Sequence, residues 1–293
     1  MPNELNRREF LRVTGVGLGG LAVAGCVTRT RTPQAGTPQA HADASARRAH
    51  IGVQLYTVRD QIKADMPGTL AALAGIGYRE VEFAGYFDHS PADIRAMLDR
   101  LGISAPSAHV PLETLRGGLP AALDAAATIG HQLVICPYAK LATLDEWRAL
   151  ADEFNHIGEQ VQARGMRFGY HNHDHEFARI DGQLPYEILT TRADPKLVAL
   201  EMDLFWTVKA GQDPVRWFER FPGRFPAVHV KDMRGIHGAQ EMVAVGDGEI
   251  DFRRIFESAE VAGLTHYIVE HDNPADALAS VRTSYGHLRD LLA

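Results

Sequence analysis

From residue 51 onward the chain alternates two hydrophobic rhythms. Short runs in which nearly every position is apolar, such as Leu133-Val-Ile-Cys136, are separated by longer stretches with apolar residues every three or four positions. The first rhythm marks a strand covered on both faces, the second a helix with one buried face. The short runs predict strands at 51–56, 80–83, 104–109, 133–136, 168–171, 198–203, 227–230 and 267–270. The helical stretches begin near Pro67, Pro91, Leu119, Leu144, Pro185, Pro214, Phe252 and Asp276. Proline or an acidic residue near the first turn suits a helix N-terminus, and Gly77, Gly102, Gly130, Gly165 and Gly263 stand where helices should stop. Eight strand–helix units predict an α/β fold of one domain, a parallel sheet closed as a (β/α)8 TIM barrel over residues 50–293. The rival, an open doubly wound sheet, lacks its usual sign, because no Gly-x-Gly-x-x-Gly follows the first strand.

Residues 1–49 break this rhythm. Asn6-Arg-Arg-Glu-Phe-Leu-Arg12 matches the twin-arginine export pattern, with Arg7 and Arg8 as the pair. The glycine-rich apolar segment after it is too short for a membrane-spanning helix. Leu21-Ala-Val-Ala-Gly-Cys26 then resembles a bacterial lipobox, whose cysteine is lipidated. These patterns imply a twin-arginine signal peptide with lipobox over 1–26, a periplasmic or cell-envelope location, and membrane attachment only through a lipid anchor on Cys26. The alternative is simple cleavage within 40–46, giving a soluble periplasmic protein. Residues 27–49 hold almost no large apolar side chain, so the segment reads as a flexible linker.

The formal net charge of −7 and the absence of a basic stripe argue against a nucleic-acid partner. Of the two cysteines, Cys136 lies inside an apolar run and reads as a core residue, so no disulfide is demanded. No Gly-x-Ser-x-Gly elbow and no glycine-rich phosphate loop occur.

In such a barrel the working face lies at the C-terminal ends of the strands. Those ends carry Gln54 and Tyr56, Glu82, His109, His171 and His173, Glu201 and Asp203, His229 and Lys231, and Glu270 and His271. The stretch Gly169-Tyr-His-Asn-His-Asp-His-Glu176 is the densest of these. So many carboxylates and imidazoles in one mouth cost desolvation energy unless something pairs with them. They can pair among themselves, for instance Glu270 with Lys231, or they can share a divalent cation.

Taken in order, Gln54-Leu-Tyr-Thr-Val-Arg59, Ser107-Ala-His109, Glu201-Met-Asp-Leu-Phe-Trp206, Val228-His-Val-Lys-Asp232 and Tyr267-Ile-Val-Glu-His-Asp272 resemble the sugar phosphate isomerase/epimerase family of xylose-isomerase-like barrels. The resemblance implies one divalent metal ion (manganese, magnesium, zinc and cobalt are not distinguished) held by Asp203, His229 and Glu270. The family's fourth ligand is a glutamate of the fifth strand. Here His171 stands at that place, and Glu176, reaching in from the loop, is a second candidate. That departure weakens a symmetric two-glutamate epimerase mechanism.

The expected reaction is proton abstraction next to the carbonyl of a sugar or keto-sugar, giving an enediolate. Glu270 or His173 would be the base and Lys231 would stabilise the oxyanion. Gln54, Tyr56, Glu82, His109, Glu201 and Trp206 would hold the sugar. The outcome is isomerisation or epimerisation, or, as a lyase, β-elimination from a 3-keto-glycoside. A partner sugar dehydrogenase would then install the ketone. A non-catalytic sugar-binding lipoprotein and an endonuclease acting at abasic DNA are the rivals from other classes. The acidic balance and the export signal speak against the second, the retained Asp203, His229 and Glu270 against the first.

Overall fold

The computed structural model describes residues 50–293. The expected export signal, Cys26 and the linker 27–49 lie outside the described residues. The apolar runs form β1 (Ile51–Gln54), β2 (Glu80–Phe83), β3 (Ser104–His109), β4 (Leu133–Cys136), β5 (Arg167–His171), β6 (Val198–Asp203) and β7 (Ala227–Val230). Two short strands follow, β8 (Asp232–Arg234) and β9 (Glu241–Val243), and then the last apolar run, β10 (His266–Val269). All but β8 and β9 pair in parallel and close in the order β1-β10-β7-β6-β5-β4-β3-β2. The eight strand–helix units thus make one TIM barrel.

Helices cover the sheet because each has one apolar face. The helix Leu144–Gln162 buries Trp147, Leu150, Phe154, Ile157 and Val161 on one side. It starts with a capping box, in which the Thr143 and Glu146 side chains satisfy each other's backbone amides. Phe154 packs on Phe168 and Tyr170 of β5, with ring centroids 5.0 and 5.5 Å apart. Gly158 lets the helix approach the chain at Leu197, where a Cβ would stand 2.9 Å from its backbone oxygen.

Three local departures from the sequence reading matter for the rim. The first strand stops at Gln54, whose Oε1 accepts from the Tyr56 amide and turns Leu55–Val58 into a 3-10 helix. Glu270 lies one residue past the end of β10. Between β7 and the next helix, β8 and β9 make a small antiparallel hairpin. Asp232 anchors the loop after that hairpin. Its carboxylate accepts from the amides of Met233, Gly246, Gly248 and Ile250 at 2.8, 2.9, 3.0 and 3.2 Å.

Candidate active site

Side chains two apart on a strand share a face, so His171 and His173 of the fifth strand-and-loop point inward while Asn172 points away. Asn172 fastens the strand ends instead, accepting from the Asp203 amide and donating to Thr207 Oγ1 at 3.2 Å. Asp203 has two roles. Its Oδ1 caps the helix Leu204–Lys209 by accepting from the Trp206 amide at 3.0 Å, which leaves Oδ2 for the barrel mouth.

The converging groups form two layers. In the lower one, Glu82 Oε1 accepts from Gln54 Nε2 at 2.6 Å and faces His229 Nε2 at 2.7 Å and His109 Nε2 at 3.1 Å, while Oε2 accepts from Ser107. Glu201 Oε2 meets His109 Nε2 at 2.7 Å, His171 Nδ1 at 3.1 Å and His229 Nε2 at 3.2 Å. In the upper layer, Glu270 Oε2 lies 2.7 Å from both His229 Nδ1 and Lys231 Nζ. Lys231 Nζ also stands 3.0 Å from Asp203 Oδ2 and 2.9 Å from Asp272 Oδ1.

These contacts set the protonation states. Burial alone would lower the His109 imidazolium, but Glu82 and Glu201 outweigh it and carry its pKa up to about 9. His229 is held well above its ordinary value against burial by Glu201, Glu270 and Glu82. Lys231 is likewise held up against burial by Asp203, Glu270 and Asp272, so it stays an ammonium. Burial raises Asp203 to about 6, with Lys231 opposing. His171 and His173 go the other way: burial, then neighbouring imidazoles and Lys231, lower both, His173 to about 3. Both are therefore neutral at pH 7.

Asp203, His229 and Glu270 each offer a ligand atom within 4.8 Å of the others. Three observations fit a divalent cation there. The donors are two carboxylates and an imidazole, a set that suits a divalent metal. Asp203 Oδ2 is buried and meets the Lys231 ammonium at 3.0 Å without a well-formed hydrogen bond. Carboxylates also outnumber Lys231 and the two imidazolium groups around this mouth.

The expected fourth ligand is not in that group. His171 belongs to an adjoining one with His109, Glu201 and His229, and its Nε2 stands 3.6 Å from Asp203 Oδ2. Glu176 does not reach the mouth at all. Tyr170 donates to one of its oxygens at 2.6 Å and the His173 amide to the other at 2.9 Å, so it shapes the loop.

The rim cavity, about 290 Å³, is lined by Tyr56, His109, Pro137, Tyr138, His171, His173, Lys231, Glu270, Asp272 and Asn273. The expectation that Gln54, Glu82 and Glu201 hold substrate is corrected here. They are at most 1% exposed and lie beneath the floor, where they fix the histidines. Trp206 stands behind His173, ring centroids 5.6 Å apart, and is not part of the lining. His271 turns away from the mouth to Ser280, at 2.9 Å. Asp272 and Tyr138 are additions that the sequence reading does not contain. Asp272 continues the alternation begun by Glu270, which is the available signal; Tyr138 sits in a loop and gives none.

A model of the xylose isomerase-like TIM barrel family matches residues 70–291. An inosose dehydratase of Lacticaseibacillus casei is 29% identical over 152 residues, 46% of this chain and 50% of that protein. Inosose dehydratase 2 of a Bacillus cereus strain is 32% identical over 111 residues, 38% of this chain and 35% of that protein. The chain thus spans about half the length, or less, of these curated relatives. A crystal structure of a sugar phosphate isomerase/epimerase from Parabacteroides distasonis superposes with a TM-score of 0.72 at 27% identity, covering 82% of this chain and 93% of the other.

Proposed function

Because the chain belongs to the xylose isomerase-like TIM barrel family, we propose that it is a divalent-metal-dependent enzyme that takes a proton from the carbon beside the carbonyl of a sugar-like ketone. The observation that carries this reading is the meeting of Asp203, His229 and Glu270 beside an ammonium at the rim, where Glu270 and Lys231 line the cavity and Asp203 and His229 lie buried directly behind them. A divalent ion held by those three would polarise the carbonyl and favour the enediolate.

The chain's own residues supply the rest. His173 lines the cavity, keeps one ring nitrogen free of a proton at pH 7 and has no hydrogen-bond partner at Nδ1; it is assigned as the base, a weak one because burial and Lys231 lower its pKa. Glu270 is less available, since its Oε2 is already engaged by His229 and Lys231 and would also hold the ion. Lys231 stays charged beside the cavity and stabilises the oxyanion or returns a proton. Tyr56 and Tyr138, 42% and 46% exposed, form the outer walls against which a ring can stack.

Loss of a β-substituent after proton abstraction is the outcome we favour. The curated relatives are dehydratases by name, and among the described residues no second glutamate lines the cavity opposite Glu270. The similar P. distasonis structure supports isomerisation or epimerisation as the second reading. Elimination requires a substrate that already carries a ketone, which a sugar dehydrogenase would install, whereas isomerisation or epimerisation can start from the carbonyl of a free reducing sugar. The N-terminal patterns place the enzyme, on this proposal, in the cell envelope.

Two measurements test the reading. Asp203→Asn or His229→Gln should lower the metal content of the purified chain by one ion. The metal-loaded enzyme should exchange solvent deuterium into, or eliminate from, members of a panel of keto-sugars, keto-cyclitols and 3-keto-glycosides. Full metal content in both variants would remove the ligand assignment. Binding without exchange or elimination across the panel would make the chain a sugar-binding protein.

A further inference from the structure

The alternation that brings polar side chains to the C-terminal rim brings another set to the opposite end of the barrel. His50, Gly52 and Gln54 share one face of the first strand and its approach, Glu80 and Glu82 one face of β2, and His266, Ile268 and Glu270 one face of β10 and its exit. Gln54, Glu82 and Glu270 belong to the C-terminal half of the barrel, beneath and at the rim. His50, Glu80 and His266 stand together at the N-terminal mouth. His50 Nδ1 lies 2.8 Å from Glu80 Oε1 and His266 Nδ1 lies 2.7 Å from Glu80 Oε2. The two rings cross at 90° with centroids 5.4 Å apart, and all three ligand atoms lie within 4.8 Å of one another.

Glu80 is a buried carboxylate, 4% exposed. Among the described residues its ion-pair partners are those two histidines, with neither lysine nor arginine in range. The neighbouring Arg79 gives its guanidinium to the carbonyls of Ala74, Gly77 and Tyr78 instead. Gly52 keeps the place tight, since a Cβ there would stand 2.6 Å from Ile268 Cδ1 and 3.2 Å from Glu80 Cβ.

We propose that His50, Glu80 and His266 bind a divalent transition-metal ion at the N-terminal mouth, separate from the rim site. Two imidazoles and one carboxylate select zinc, cobalt, nickel or copper(II) over magnesium or calcium. Three protein ligands leave a fourth position for water. On loading, each neutral imidazole carries its proton on Nε2 and turns the Nδ1 lone pair to the ion. Glu80 exchanges two hydrogen bonds for a metal bond. The half-exposed His50 provides the way in. Such an ion ties β1 to both of its neighbours, β2 and β10, at the place where the first and last strands of the barrel meet.

The test uses the full chain carrying Asp203→Asn, so that the rim does not compete. Metal-stripped protein is titrated with cobalt(II) and followed by visible absorption and by bound-metal analysis. The expected result is one equivalent bound, with the intense band of a four-coordinate ion, and loss of both on adding His50→Gln. Zinc should raise the Tm of Asp203→Asn and leave that of the double variant unmoved. Because His50 is half exposed the double variant should fold, which far-UV circular dichroism checks; His266→Gln gives an independent removal of a ligand. No cobalt bound to Asp203→Asn, or a band that survives His50→Gln, would overturn the proposal. The rim assignment stands or falls separately, on whether Asp203→Asn itself removes an ion.

Discussion

Replacing Lys231 with methionine removes one ammonium while nearly keeping the volume of the side chain. That ammonium is 2% exposed and stands 3.0 Å from Asp203, 2.7 Å from Glu270 and 2.9 Å from Asp272. Taking one partner from a buried ion pair leaves the other charged and undersolvated, at a cost of about 3–5 kcal/mol. For a domain of this size each kcal/mol is worth about 2–4 °C, so the metal-free variant should melt roughly 6–20 °C lower. A divalent ion at Asp203 and Glu270 has to share those carboxylates with the ammonium. Without it, the ion should bind at least about tenfold more tightly, about 1.4 kcal/mol. The two effects have opposite signs in one variant, which makes the test sharp. Thermal melts in chelator and in excess manganese or zinc, with chelator competition for affinity, read both. An unchanged metal-free Tm, or a smaller metal-induced rise in Lys231→Met than in the wild type, would refute the reasoning.

Three further outcomes are expected. His173→Gln should retain rim metal but lose solvent deuterium exchange by about 10²–10⁴-fold, the usual share of a positioned base. His109 has its pKa raised from the ordinary 6.5 to about 9 by Glu82 and Glu201 against burial. Its contribution to the stability of the metal-free protein is therefore fully present below pH 6.5 and lost as pH rises through about 9, at most about 3 kcal/mol. Urea titrations across that window should show the loss, and His109→Gln should flatten it. Asp232→Ala strips four backbone amides of their acceptor and should cost about 3 kcal/mol or more, read as a lower urea midpoint at unchanged slope.

The barrel is legible because each strand is a short apolar run bracketed by helix starts and stops. Five strands, those at 80–83, 104–109, 133–136, 198–203 and 227–230, have the expected ends. Hydrophobicity alone runs the first strand two residues too far, because Leu55 and Tyr56 are as apolar as what precedes them. Only the Gln54 side chain, capping the Tyr56 amide, ends it. Alternation also tells which side chains enter the barrel, and it brings Asp203, His229 and Glu270 together. What alternation does not give is depth. Glu201 and Asp203 lie on the same strand and the same face, about 7 Å apart along it. One meets three histidines and the other pairs with Lys231, which lines the cavity, and the relative stagger of neighbouring strands decides which is which. The same missing depth puts Gln54 and Glu82 beneath the floor instead of against the substrate. Glu176 departs from expectation because its direction is set by a short 3-10 turn, His175–Phe177, that leaves no periodic trace.

The pairing of β10 has a consequence for how this scaffold tolerates change. His266 and Ile268 lie inside the barrel, whereas Tyr267 faces outward onto Phe256, with ring centroids 5.0 Å apart. The alignment of Tyr267 with Ile51 and of His266 with Ala227 keeps that order. A single residue inserted in or just before this strand would exchange the two faces along its whole length. The imidazole at one pole and the carboxylate at the other would leave the interior together. Chemistry at the two ends can drift by substitution one residue at a time, but indels in the closing strand are selected against twice.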